Sequence, residues 1–133
     1  MSTKTVAEKL QIKPNSALWV SHAERRALVE PLPAGVAPAE GPALASAALV
    51  FADSAGALRE ILDAHIGDLA RLSVFWVLYP KANRADINRD TLWPILSVYG
   101  VRPISQVAVD AVWSALRFRP LKPGEQQFTG GGA

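Results

Sequence analysis

The side chains able to do chemistry in this 133-residue chain gather just after three apolar runs. Residues 17–20 (ALWV) lead to Ser21 and His22, and residues 47–51 (AALVF) lead to Asp53 and Ser54. Residues 74–79 (VFWVLY) lead through Pro80 to Lys81, with Asn83 and Arg84 close behind. Hydroxyls, an imidazole, a carboxylate and two cations in one place would hold a small anion, the cations supplying charge and the rest orientation. If the three runs are parallel strands, these residues meet at one sheet edge, where open α/β sheets take ligands. Helices starting near His22 and at Ser54 would turn free N–H groups toward the same rim. Each member also has a plainer use: Asp53 and Ser54 are common helix caps, and Lys81 can simply end a buried strand. His65 falls on the apolar stripe of its segment and reads as a core or capping residue near a helix end. The chain has no cysteine, which removes thiol catalysis, disulfides and thiolate metal sites. Two histidines far apart, with no third ligand, propose no zinc site. No nucleophile elbow, phosphate-binding glycine loop or paired-carboxylate motif is present.

The elements that must position these groups follow from hydrophobic patterning. Residues 71–81 (RLSVFWVLYPK) carry a continuous apolar run without a polar face, the mark of a strand buried on both sides in a parallel sheet. A helical turn is expected over residues 5–10, broken at Pro14-Asn15, then a strand over 17–21 and a short helix over 23–29 closed by Pro31. Residues 31–43 are rich in proline and glycine and read as a loop with at most two or three strand residues around Val36. A strand over 47–51 is followed by a helix capped at Asp53-Ser54, with Leu58, Ile61 and Leu62 inward and Gly67 as its C-terminal stop. After the central strand, Asp90 is expected to cap a helix over 91–99, with Pro94 in its first turn and Gly100 at its end. Strands over 104–109 and 112–119, separated by Asp110-Ala111, predict an antiparallel hairpin. On its second arm Ser114, Leu116 and Phe118 share one face, and Trp113, Ala115, Arg117 and Arg119 the other. That Trp113–Arg117–Arg119 face is either sheet core or an association surface, through which a homodimer is one expectation. Residues 1–122 are read as one domain and 123–133 as an unstructured tail.

Half the residues are apolar, enough for a sizeable core in a chain of this length. No segment approaches the ~20 apolar residues of a membrane span, and the N-terminus does not resemble a signal peptide. A cytoplasmic protein away from membranes is therefore expected. The net charge is +2, with the acidic excess in residues 1–70 and the basic excess in residues 71–122. The basic half could form an anion or nucleic-acid surface, but without interleaved aromatics it reads rather as solvated basic side chains spread over loops and hairpin, and nucleic acid is not an expected partner.

The order strand, helix, strand, helix, strand, helix, hairpin predicts a three-layer Rossmann-like α/β domain, its mostly parallel sheet ending in an antiparallel hairpin. That finish resembles class I methyltransferase-like domains. The chain is also similar to a bacterial family of small conserved proteins of unknown function. The similarity rests on Trp76-Val77 with Pro80-Lys81, on Gly100, on Asp110 with Trp113-Ser114 and Leu116, on residues 9–14 (KLQIKP) and on residues 31–36 (PLPAGV). It implies a truncated methyltransferase-like fold and brings no activity with it. Binding S-adenosylmethionine in such a fold needs glycines after the first strand. Residues 21–26 (SHAERR) offer none, and the first glycine is Gly35. The expectation is a non-catalytic small-molecule or anion-binding module with no cofactor. The alternatives are a divergent S-adenosylmethionine-dependent transferase and a protein-interaction module working through the hairpin.

Overall fold

The computed structural model describes residues 5–72, 74–81 and 89–125. Its centre is a six-stranded sheet of β1 (Ala17–Val20), β2 (Ala37–Pro38), β3 (Ala47–Phe51), β4 (Val74–Pro80), β5 (Val101–Ala108) and β6 (Trp113–Pro120). The spatial order is β2-β1-β3-β4-β6-β5. β1, β2, β3 and β4 pair in parallel, while β6 runs antiparallel to both β4 and β5. Chain order reverses across the β1–β3 pair, since the chain leaves β1 for the edge at β2 and returns to the other side of β1. That is the switch point at which an open α/β sheet parts its crossovers and leaves a crevice.

All seven residues of β4 are buried, and so are all five of β3, because both faces of the sheet are covered. On one face α2 (Ala55–Leu69) and α3 (Arg89–Val98) pack Leu58, Leu62, Leu69, Leu92, Ile95 and Leu96 against Val50, Phe75, Val77, Leu116 and Phe118. On the other face Leu49, Phe51, Trp76 and Leu78 meet Ala7 of α1 (Val6–Lys9), then Leu10, Ile12 and Val29. The short first element is pinned there by the Trp76 indole, whose Nε1–H donates to the Leu10 carbonyl at 2.8 Å. α1 begins with a full capping box, Thr5 and Glu8 each satisfying the other's backbone N–H. The three-layer α/β domain expected from the sequence is therefore the fold observed.

Several local readings need correction. α2 does not stop at Gly67 but runs on to Leu69. A glycine inside a helix costs about 0.5–1 kcal/mol. The continued turn brings fully buried Leu69 into the core, which offsets that at about 1.5–3 kcal/mol. α3 starts at Arg89, so Asp90 lies inside the helix and Pro94 is its sixth residue, outward and exposed, where the buried stripe of Leu92, Ile95 and Leu96 holds the helix despite it. Residues 23–29 wind as a 3₁₀ helix rather than an α-helix. The hairpin is antiparallel as expected, but its loop spans residues 109–112, because Asp110 Oδ1 accepts from the N–H groups of Val112 (2.8 Å) and Trp113 (2.7 Å). β5 begins earlier than expected, directly after Gly100 in its left-handed turn (φ +81°), and tolerates Pro103 because it is the sheet's edge strand.

Candidate functional site

The carboxyl ends of β1, β3 and β4 lie at one edge of the sheet, since Val20 pairs with Leu49 and Phe51 with Leu78 in parallel register. Ser21-His22, Asp53-Ser54 and Lys81 therefore leave the sheet on the same side, as the spacing predicts. Their side chains are committed locally. The Ser21 hydroxyl accepts from the Phe51 N–H at 2.8 Å, continuing the β1–β3 ladder one step past the last β1 residue. The same oxygen lies 2.8 Å from His22 Nδ1, within hydrogen-bond distance. The other imidazole nitrogen stands 3.5 Å from Asp53 Oδ2.

Asp53 is the centre of the mouth. Both its oxygens accept from Arg25, Nη1 to Oδ1 at 2.7 Å and Nη2 to Oδ2 at 3.0 Å, in a parallel two-bond fork. The guanidinium carbon also lies 5.4 Å from the centre of the Phe51 ring and 5.3 Å from that of Trp113, within cation–π range of both. Those two rings meet edge to face at 5.1 Å. Arg25, from the 3₁₀ helix after β1, thus bridges β3 and the end of the hairpin across the switch point. It was missed as a site residue in the sequence, where it stands inside a charged run with no spacing signal to Asp53. The hint available was the run itself, cationic where a cofactor-binding turn would carry glycines.

The remaining predicted residues serve separate local ends. Ser54 caps α2, its hydroxyl accepting from the Ala57 N–H at 3.1 Å. His22 occupies the N-cap position of the 3₁₀ helix without a side-chain capping bond. Lys81 turns its ammonium onto the Asp110 carbonyl at 2.6 Å, and its N–H onto Val112, so it ties β4 to the hairpin loop. Asn83 and Arg84 lie outside the described residues. On the hairpin, Trp113 lines the mouth beside Phe51, whereas Arg117 donates to Gln11 Oε1 at 3.0 Å and Arg119 to both oxygens of Glu125. His65 packs its ring against Trp19 at 5.1 Å. No group of three metal-ligating side chains occurs among the described residues, and no described helix is long and apolar enough to cross a membrane.

The glycine turn that would bring backbone to S-adenosylmethionine is not found after β1. Residues 21–26 present side chains where backbone would have to approach a ligand, and the Arg25–Asp53 pair spans the gap between the strand ends. No protein-family model and no curated protein matches the chain. Solved structures do match by shape. A protein of the NADB-Rossmann superfamily from Streptococcus agalactiae superposes with a TM-score of 0.57 at 9% identity, over 97% of this chain and 72% of that one. A candidate tRNA (m1A22) methyltransferase from Streptococcus pneumoniae superposes with a TM-score of 0.53 at 13% identity, over 96% of this chain and 73% of that one. At such identities the likeness speaks for the backbone alone. In architecture, then, this chain is a Rossmann-like, methyltransferase-like α/β domain whose switch point is spanned by its own arginine and aspartate.

Proposed function

We infer that this chain is a small-molecule-binding module whose ligand presents an anionic group to Arg25 at the mouth between β1 and β3, without turnover. One observation supports the reading: the Arg25 guanidinium, forked onto Asp53 and backed by Phe51 and Trp113. A guanidinium within cation–π reach of two rings is preorganised for carboxylate or phosphate. Asp53 is an exchangeable occupant, because the pair is partly exposed and such pairs contribute about 0–1 kcal/mol. Catalysis is the weaker reading, since Asp53 is neutralised by Arg25 and the Ser21 hydroxyl is held between a backbone N–H and His22. The transferase alternative is favoured by one finding, the backbone likeness to a candidate tRNA methyltransferase. It requires Arg25 to leave the mouth.

Isothermal titration against inorganic phosphate, nucleotides and S-adenosyl compounds tests both. Saturable binding weakened by Arg25→Ala, and kept or strengthened by Asp53→Ala, is expected. Binding to none of these, or binding indifferent to Arg25→Ala, sinks the reading. Methyl transfer from S-adenosylmethionine to RNA, lost in Asp53→Ala, would put the transferase in its place.

A further inference from the structure

The opposite edge of the sheet carries a second concave site. A cleft of about 140 Å³ opens where the lead-ins to β1, β3 and β4 converge, lined by Gln11, Lys13, Ser16, Ser46, Ala47, Val74 and Arg117. These lie at the amino ends of the parallel strands, so the cleft and the Arg25 mouth are separated by the length of the sheet. Two cations and no carboxylate line it among the described residues. Its floor is apolar, formed by buried Ala47 and Val74, and a low-dielectric floor strengthens the attraction of charge. The hydroxyl protons of Ser16 and Ser46 serve the carbonyls of Lys13 and Ala17. Attraction for a ligand therefore rests on Lys13, Arg117 and the amide of Gln11.

Gln11 supplies an independent sign. α1 ends in a Schellman turn, with the Gln11 N–H bonded to the Glu8 carbonyl and the Ile12 N–H to that of Ala7. Gln11 holds the left-handed position of that turn (φ +61°), where glycine is the residue without strain. The amide retained there reaches 3.0 Å to the Arg117 guanidinium. With its oxygen on Arg117, its NH₂ group remains a donor beside two cations. A left-handed residue that is not glycine, placed so that its side chain lines a cationic cleft, is strain concentrated at a site.

We propose that this cleft binds a small tetrahedral oxyanion, a phosphoryl group, between Lys13, Arg117 and the Gln11 amide. Its size fits: a water takes about 30 Å³ and ligand pockets for larger molecules run to about 300–1,000 Å³. The site admits a phosphate or the phosphate end of a longer molecule.

The test is a titration of the full chain with inorganic phosphate and with a phosphate monoester at constant ionic strength, followed by amide NMR shifts. Saturable shifts at Gln11, Ser46 and Ala47 are expected. Equal affinity for both probes would identify free phosphate as the ligand class, and tighter monoester binding a phosphoryl group on a larger molecule. Lys13→Gln and Arg117→Gln should each weaken binding ~10-fold by removing a charge-assisted partner. Gln11→Gly should weaken it as well while leaving the chain at least as stable, an outcome that a purely structural glutamine does not give. The saturable shifts at Gln11, Ser46 and Ala47 should not depend on Arg25, whose own mouth lies at the other edge and would report through Phe51 and Trp113 instead. Shifts that rise linearly without saturation, or undiminished affinity in Lys13→Gln, whose exposed side chain can be replaced without unfolding, would overturn the proposal.

Discussion

Ser21 shows how one side chain can close a sheet and shape a site together. β1 ends at Val20, yet Phe51 on β3 still has a backbone N–H to satisfy one step further on, and the Ser21 hydroxyl takes it at 2.8 Å. Ser21→Ala would leave that N–H without its acceptor, at about 1–3 kcal/mol. The expected outcome is a lower urea midpoint at unchanged m-value, with faster hydrogen exchange at Phe51. If the exchange rate at Phe51 does not move, water or another group accepts that bond. Arg25 is the counterpart at the mouth. The fork onto Asp53 is worth little as a surface ion pair, so its removal should barely touch stability even where it changes binding. A side chain can thus be central to a site and marginal to the fold.

Elements in this protein are decided by burial where local preference is weak. α2 passes through Gly67 because Leu69 belongs to the core beneath it. A methyl group added at Gly67 would meet nothing within 4 Å. Gly67→Ala is therefore expected to raise stability by about 1 kcal/mol, the helix-propensity difference. Thermal unfolding checks it, and an unchanged or lower midpoint would mean that the last turn of α2 is not helical in solution. α3 shows the same contest, keeping Pro94 on its solvent side while Leu92, Ile95 and Leu96 are buried. It is also tied to α2 by the Tyr99 hydroxyl, which donates to Asp63 at 2.5 Å. That bond, ahead of desolvation and the neighbouring negative charge, raises the Tyr99 pKa.

At the scale of the whole molecule, the chain is fastened beyond its last strand. Glu125 accepts from Arg102 at 2.9 Å and from Arg119 at 2.9 and 2.8 Å, drawing the segment after β6 back onto the edge hairpin. The Arg119 hydrogen bonds, followed by the Lys122 N–H, lower the Glu125 pKa from 4.5 to about 2. A depressed carboxyl favours the folded clamp at every pH above its ordinary value. That contribution should fade as pH falls from 4.5 and be gone below about 2, weakened by solvent because the groups are partly exposed. The Glu125 carboxylate carbon, titrated by NMR, should show this low midpoint. A midpoint near 4.5 would mean that the clamp is open in solution. Glu125→Gln should abolish the acid-dependent change at Arg119.

The sequence by itself determined the sheet. A run as apolar as residues 74–79 has no surface to turn to water and must lie between two layers, and a connection as short as Asp110-Ala111 between the last two expected strands allows only an antiparallel return. It also placed Ser21, Asp53 and Lys81 on one edge, because parallel strands send their carboxyl ends the same way. Tertiary structure alone decided what those residues do there. Strand order set β1 beside β3, which let Arg25 reach Asp53 across 28 residues and meet the adjoining rings of Phe51 and Trp113. It likewise brought Gln11 to Arg117, 106 residues away. Periodicity reports which face a residue occupies, whereas a pairing between distant segments depends on how strands are ordered, and no local pattern carries that.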